Sequence, residues 1–375
     1  MQSDISIRAG TFEQVLVMLN GIKLNDPQTG HHTLNLPVSL AQIERIEIIT
    51  GGASRIFGNY AYTGAINIIT KVKMNNSINI SLGENKFNSN EINYHISSKK
   101  IKHNISLNQK KSDGYTKGTD YIIKNYFYQA KTNVNDLNIL LNAGFTDKKF
   151  GAYSFYSTKF PDQYELTKTR FTSLQIKKEG NISIENKLYW RRHNDEFILF
   201  RDNPSWYHNF HETNVFGLDI NLIQKTKRGS NLIGMEIRTD NIISNLLGEQ
   251  LEKPIYIDSE NMYSKGASRS ATNIFAEKNI NLNRLFISTG FMINIDSKYG
   301  NEYFPGLDIS YSLQKNTKLF LSLNKSMRTP NYTELYYISP TNEGNINLKS
   351  EYSTNKEVGI KWNAKSHKTS VTYYQ

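Results

Sequence analysis

The 375-residue sequence contains no cysteine, which excludes disulfide bonds, thiolate catalysis and iron–sulfur ligation. It also contains no apolar run that approaches the ~20 residues a membrane-spanning helix needs, and its mean hydropathy is −0.55. The lack of a long apolar run and the low mean hydropathy are typical of soluble proteins. One class of membrane protein is an exception. A transmembrane β-barrel alternates lipid-facing and lumen-facing residues, so its mean hydropathy is low although one face of every strand is apolar.

Motifs for catalysis and cofactor binding are lacking as well. The sequence has no nucleophile elbow, no Walker-type phosphate loop and no His-Glu-x-x-His motif. The glycines of 51–58 are not followed by Lys-Ser/Thr, so phosphate binding is not expected there. We therefore predict a protein that is not an enzyme and that has no cofactor and no bound metal.

The charge and the aromatic content are informative in different ways. The net charge is +11, but the basic residues occur singly or in pairs such as Lys99-Lys100, and no helix collects them. We interpret them as charges on turns and lumen walls, and expect no nucleic-acid partner. The sequence has 23 Tyr, 18 Phe and 3 Trp, the residue types that form the aromatic girdles of membrane barrels.

The first 72 residues have a compact, mixed character. The apolar run 15–19, the dipeptide Asn20-Gly21 and the run 22–24 predict a hairpin, because a type I′ turn needs positive φ at both central residues. A polar loop follows, and 36–42 is predicted to hold a short helix. Two further strands are predicted at 45–49 and 65–69.

Beyond residue 76 the pattern has period two and indicates roughly 15 strands of about ten residues each. In 137–145 and 285–295, apolar residues share one face and polar residues the other. A soluble sandwich also alternates, but three details favour a barrel: the strands are long, their polar faces carry charge, and tight links alternate with long aromatic loops. The predicted long loops are 151–167, 197–212 and 246–268.

Several blocks of the sequence resemble the plug of TonB-dependent outer-membrane receptors, particularly the cobalamin and siderophore branch. These blocks are 7–10, 15–21, 43–49, Gly51, Phe57-Gly58 and 64–71. The later barrel strands of that family are similar to 328–330, 334–336, Gly344-Asn345, Leu348, Glu351 and 357–359. Gly51-Gly52 and Asn20-Gly21 depart from the family's Gly-Pro and Asp-Gly, but both still support turns.

The resemblance implies an all-β transmembrane barrel, partial, with roughly 15 of about 22 antiparallel strands, preceded by the C-terminal half of a small α/β plug domain. The expected domains are the plug at 1–73 and the barrel at 76–375. Export requires a signal peptide, which does not follow Met1, and the last predicted strand, 369–374, has no closing turn. We therefore expect a fragment that lacks both ends, including the TonB box.

The implied function is TonB-dependent import of a scarce nutrient, such as cobalamin or a ferric siderophore, across the bacterial outer membrane. The implied partners are TonB, bound through the absent N-terminal segment, and outer-membrane lipid and lipopolysaccharide. Two alternatives stay open: a TonB-dependent glycan importer, and a soluble secreted β-rich glycan-binding protein.

Two groups of residues are candidates for the site. The resemblance implies that plug arginines and barrel glutamates seat the plug, whereas solvent exposure is the simpler reading; the candidates are Arg8, Arg45, Glu47 and Glu357. We propose substrate contact for three further features. The alternative is solvation for a histidine pair, a packed turn for the segment after Gly58, and membrane anchoring for an aromatic loop. These candidates are His31, His32, Asn59, Tyr60, Tyr62, Trp206 and Tyr207.

Overall fold

The computed structural model describes residues 3–339, 342–364 and 366–375. A small mixed sheet and its loops, residues 3–76, lie against the inner face of a large antiparallel sheet; we call them the plug and the barrel sheet. Among the described residues, no helix has the length and apolar character needed to cross a membrane.

The plug is built on four strands in the order β2-β1-β4-β3. They are β1 (Val15–Leu19), β2 (Ile22–Lys23), β3 (Ile43–Thr50) and β4 (Gly64–Thr70). β1 and β4 are parallel, whereas β1 pairs with β2 and β3 with β4 in antiparallel fashion. The helical elements are α1 (Ser54–Phe57) and three 3-10 turns at Phe12–Gln14, Gly30–His32 and Leu40–Gln42.

The predicted hairpin is confirmed: Asn20 and Gly21 have φ of 53° and 77°. The helix expected within 36–42 is a single 3-10 turn, because Ser39 and Gln42 form a capping box around three residues only.

The barrel sheet has sixteen strands, of which β14 pairs only with β15. Consecutive neighbours are antiparallel, as the barrel interpretation requires. The strands are β5 (Ser77–Leu82), β6 (Asn88–Ser97), β7 (Ile101–Ser112), β8 (Tyr121–Val134), β9 (Leu137–Gly151), β10 (Tyr164–Lys178), β11 (Ile182–Ile198), β12 (His208–Thr226), β13 (Gly229–Ser244), β14 (Glu249–Tyr256), β15 (Met262–Leu282), β16 (Leu285–Asp296), β17 (Gly300–Gln314), β18 (Thr317–Arg328), β21 (Glu351–Asn363) and β22 (Lys368–Tyr374).

Between β18 and β21 the chain forms α2 (Tyr332–Tyr336) and the small pair β19 (Ile338–Ser339) and β20 (Asn342–Glu343). One predicted long loop, 246–268, is not irregular. It contains β14, which extends the sheet through pairing with β15. The alternating, partly aromatic sequence 249–256 is compatible with either a loop or an edge strand. Its pairing with β15 shows that it is a strand.

The period-two pattern is confirmed by burial. On β16, Ser288 and Asn294 are buried against the plug, whereas Phe291 and Ile295 are exposed on the outer face. Asn142 on β9 is fully buried in the same way. The inner wall is therefore polar and the outer wall apolar, as a barrel in lipid requires.

Both faces of the central strand β1 are buried, which explains its continuous apolar run. One face, with Val15, Val17 and Leu19, packs against Phe127, Phe171 and other aromatic residues of the inner barrel wall. The opposite face packs under the 53–61 segment and is carried by Leu16, Met18, Ala53, Tyr60, Ala61 and Ala65. The outer surface of the plug is thus fitted to the wall that surrounds it.

Gly51, at the end of β3, is tightly enclosed. Its φ is +87°, and a Cβ at this position would lie 2.0 Å from the Glu357 carboxylate oxygen. We predict that Gly51→Ala destabilises the protein by more than the ~1–2 kcal/mol of a left-handed backbone alone, because it also displaces Glu357. Gly300→Ala is the matched control, since Gly300 has φ +77° and open space around its Cα. Thermal unfolding of the complete protein in detergent measures both; equal losses of stability would contradict the prediction.

Candidate functional site

The boundary between plug and barrel sheet is formed by charged residues, and Arg8 lies at one of its edges. Its guanidinium contacts both carboxylate oxygens of Glu357 on β21, at 2.5 and 3.0 Å. The Arg8 side chain also lies over the Tyr374 ring, 4.6 Å from the centroid. The two residues that the resemblance paired are therefore in bidentate contact, the geometry that makes arginine–carboxylate pairs strong.

Arg55, which was not predicted as a site residue, makes the most extensive contacts of α1. Its guanidinium lies 2.6 Å from Asp308 and 3.3 Å from Glu277. It also donates to Asn324 and Ser288 on β18 and β16. The arginine is buried, so these barrel groups replace the water that it loses.

The hairpin and the following loop supply two further buried ion pairs. Lys23 pairs with Glu236 on β13, and Asp26 pairs with Arg191 on β11. Arg191 was not among the predicted site residues. Its partner on the plug explains why a large cation is fully buried there.

Arg45 and Glu47 are placed differently. They contact one another on the exposed face of β3, with Arg45 Nη2 2.8 Å from the Glu47 carboxylate, and Arg45 also lies near Glu44. In the part of the chain that the structure describes, neither is paired with a charged barrel residue, and β3 is exposed from Glu44 to Thr50. Their seating role stays a prediction.

A cavity of about 400 Å³ lies above the plug at the end of the barrel sheet that carries the long loops. Both the plug and the barrel strands line it, and aromatic and polar groups alternate around it. The lining residues include Phe12, Glu13, Gln28, Thr29, His31, His32, Tyr156, Asp195, Phe197, His211, Asn331, Glu334 and Tyr337. Its size and mixed lining are typical of small-molecule sites.

His31 is at the wall of this cavity. Its ring stacks on Phe12 at 4.1 Å and meets Tyr156 edge-on at 5.7 Å. Its Nδ1 lies 2.8 Å from an Asp4 carboxylate oxygen. Burial lowers the pKa of His31, although Asp4 opposes this effect. The ring is therefore held as a flat, mainly neutral surface beside two other rings.

His32 also lines the cavity and forms a buried part of its floor. Its Nε2 lies 3.3 Å from Asp195, and its Nδ1 lies 3.9 Å from Glu165. Burial lowers the pKa of His32, but the carboxylates of Asp195 and Glu165 outweigh burial and raise it to about 9. Solvation, the alternative to substrate contact, is therefore wrong for His32, because its ring is buried beside Asp195, Glu165 and His193.

The turn 59–62 is packed rather than open. Tyr60 is buried, and its hydroxyl accepts a hydrogen bond from Arg269 at 3.0 Å. Asn59 exchanges hydrogen bonds with Thr329, and the Tyr62 hydroxyl donates to the Tyr352 carbonyl. Tyr60 therefore does not form an exposed aromatic lip. Two barrel arginines, Arg269 and Arg238, contact its buried side chain.

Trp206 and Tyr207 belong to an outer loop. Trp206 is exposed and contacts Phe200 and Phe160 at 4.8 and 6.2 Å. Tyr207 shares a hydrogen bond of 2.9 Å with the hydroxyl of Tyr337, a cavity residue. Tyr207 thus reaches the rim of the cavity indirectly, whereas Trp206 lies in a separate aromatic cluster.

The cavity residues that sequence reasoning missed come from strand ends and from α2. Tyr156 and Phe197 lie in or beside loops recognised as long and aromatic. Asn331 and Glu334 form a capping box at α2, with Asn331 Oδ1 accepting from the Glu334 N–H at 2.8 Å. The spacing Asn-x-x-Glu before an apolar residue was a usable signal for that helix start.

Comparisons with known proteins agree with this arrangement. Residues 75–375 match the family model described as TonB dependent receptor-like, beta-barrel, and residues 1–65 match the TonB-dependent Receptor Plug Domain. The chain therefore belongs to the TonB-dependent receptor family, a family of outer-membrane transporters and receptors.

Particular relatives are distant. The vitamin B12 transporter BtuB of Vibrio vulnificus (strain YJ016) is 23% identical over 96% of this chain and 58% of its own length. The ferric enterobactin receptor PfeA of Pseudomonas aeruginosa has 18% identity and a TM-score of 0.77, over 99% of this chain and 64% of its own. The FrpB iron transporter of Neisseria meningitidis has 13% identity and a TM-score of 0.77, over 98% and 66%. The chain thus spans about 58% of that B12 transporter's length and 64% of PfeA's.

Variants of Arg55 and Arg45 compare a buried ion pair with an exposed one. Arg55→Ala leaves Asp308 and Glu277 beside an empty, buried space, and we expect a loss of about 3 kcal/mol or more in the free energy of unfolding. Arg45→Ala removes an exposed pair, for which about 0–1 kcal/mol is typical. Chemical unfolding of the complete protein in detergent, with protease sensitivity of the plug, measures both. A larger loss for Arg45→Ala would instead show that Arg45 has a buried partner in the complete receptor.

Proposed function

We propose that the complete protein is a receptor in the bacterial outer membrane that imports a metal-chelate nutrient, of the cobalamin or ferric-siderophore class, by TonB-dependent movement of its plug. The observation that carries this proposal is the position of the cavity. It lies above the plug, at the long-loop end, and plug and barrel residues line it together. A ligand bound there contacts the plug and the wall at once.

The lining suits a large amphipathic ligand. Phe12, Tyr156, Phe197 and Tyr337 offer aromatic surface, which buries ligand area at a low entropy cost. His31, Asn331 and Glu334 add polar groups that orient it. The curated relative named as a vitamin B12 transporter and the solved receptor named for ferric enterobactin support these two cargo classes.

Release of such a ligand toward the periplasm requires the plug to move. Its strand β1 is buried on both faces, and the Arg8, Lys23, Asp26 and Arg55 pairs join the plug to the wall. Each buried pair resists separation because breaking it exposes two charges to a poorly solvating environment. An external mechanical input, which TonB would supply through the N-terminal part of the complete protein, fits this requirement.

A binding titration tests the cargo. The complete protein, purified in detergent, is titrated with cobalamin and with a panel of ferric siderophores, and we expect nanomolar binding of one of them. Absence of binding to every member would reject this cargo class and direct the search to glycans and peptides.

The position of the bound cargo is tested by two aromatic variants. Tyr156→Ala removes a ring from the cavity wall, and we expect a loss of about tenfold in affinity, or ~1.4 kcal/mol. Trp206→Ala removes a more exposed ring outside the cavity and should change the affinity less than twofold. The reverse order would place the cargo on the outer aromatic cluster. Retained heat-modifiable gel mobility shows that each variant is folded.

A further inference from the structure

The floor of the cavity contains a group of residues that import of a chelate does not require. His32 of the plug, Glu165 of β10 and Asp195 of β11 each offer one donor atom, and these atoms all lie within 4.8 Å of one another. The three side chains are 2%, 1% and 7% exposed. One imidazole and two carboxylates are thus gathered in a place with almost no access to bulk water.

The strand register explains how the group forms. His193 and Asp195 are two residues apart on β11, so both point to the inner face. Asp195 is paired with Thr167 of β10 and with His211 of β12. Glu165 lies two residues from Thr167 and therefore points inward beside Asp195. The barrel wall supplies one face of the site, and His32 closes it from the plug.

Two buried polar atoms point to an additional ligand. Among the described residues, His193 Nε2 and Asp195 Oδ1 have no hydrogen-bond partner. The His193 ring is fully buried, lies 4.4 Å from the His32 ring, and uses its Nδ1 on Thr169 at 2.8 Å. A buried nitrogen and a buried carboxylate oxygen without partners are costly, and both are groups that bind metal ions.

Tyr156 donates to one Glu165 oxygen at 2.7 Å, and two neighbouring cations of the barrel wall have other close partners. Arg191 is paired with Asp26, and Lys148 donates to Asn35 at 2.6 Å. Gln28 donates to Asp195 at 2.7 Å, which holds that carboxylate in position as second-sphere contacts do in metal sites. The His32–Asp195 separation of 3.3 Å is close to the distance between two ligands that each lie ~2.1 Å from a tetrahedral ion.

We propose that His32, Glu165 and Asp195 bind a divalent transition-metal ion of the Zn²⁺ class between the plug and the barrel wall. Mixed imidazole and carboxylate ligands suit such ions. The ion ties the loop after β2 to β10 and β11. This proposal is independent of the imported cargo.

The direct test uses Co²⁺ as a spectroscopic substitute for Zn²⁺. The complete protein is purified without cobalamin, stripped with a chelator and titrated with Co²⁺. We expect visible d–d absorption that saturates at one equivalent and is abolished by one equivalent of Zn²⁺. Absence of a saturable band, together with no Zn²⁺ binding by calorimetry, overturns the proposal.

Matched variants locate the ion. His32→Gln and Glu165→Gln should each lower the Zn²⁺ affinity by about 100-fold or more, since even outer-shell changes cost 10–100-fold. His208→Gln is the control, because His208 pairs with Glu196 at 3.0 Å on the outer face of the same strands, and it should bind as the unchanged protein does. Equal affinity in His32→Gln and the control overturns the proposal. Heat-modifiable gel mobility shows that each variant is folded. A separate cargo titration tests the proposed receptor function independently of metal binding.

Discussion

The structure depends on one constraint: a charge on the inner wall of a barrel must find a partner when a plug replaces water beside it. Arg191, Glu236, Asp308 and Glu357 all face inward from different strands, and each meets a plug residue of opposite charge. Burial of an unpaired ion costs several kcal/mol, whereas a paired and hydrogen-bonded one is tolerated. The charged wall therefore specifies where the plug lies more than it stabilises the fold.

The apolar contacts have a different role. Phe127, Phe171, Tyr189 and Val215 on the wall pack against one face of the plug sheet, and this burial is favourable but not directional. Ion pairs select one orientation of the plug on that surface. Because each pair is local, a plug that moves can lose them one after another, while the sheet keeps its own hydrogen bonds.

The sequence predicted the architecture well because its signals are local. The Asn20-Gly21 turn, the strands β3 and β4 and the alternation of β9 and β16 each follow from a few neighbouring residues, and the structure contains all of them. The strand β14 was missed because an edge strand and an aromatic loop have similar composition. Pairing with β15 is a non-local property that no window of sequence contains.

The site was predicted less completely for the same reason. Arg8 and Glu357 are 349 positions apart, and only the resemblance to a family brought them together. Arg55 was overlooked because nothing near it in sequence indicates that Glu277 of β15, Asp308 of β17 and Asn324 of β18 contact its guanidinium. For His32 the adjacent His31 suggested a shared environment, whereas the two rings have different carboxylate neighbours and opposite changes in pKa.

The loop 25–35 links the wall of the cavity to the core of the plug. Its residues His32, Gln28 and Asn35 are bound to the barrel wall through polar contacts. At its start, Asn25 accepts from the Val17 N–H and donates to the Val15 carbonyl, at 2.9 and 2.8 Å, so the loop is fastened to the central strand β1. Single hydrogen bonds contribute about 1 kcal/mol each, far less than the burial of β1. The wall contacts of this loop are therefore linked to β1 through the two hydrogen bonds of Asn25, whereas burial of its apolar side chains holds β1 in the core of the plug.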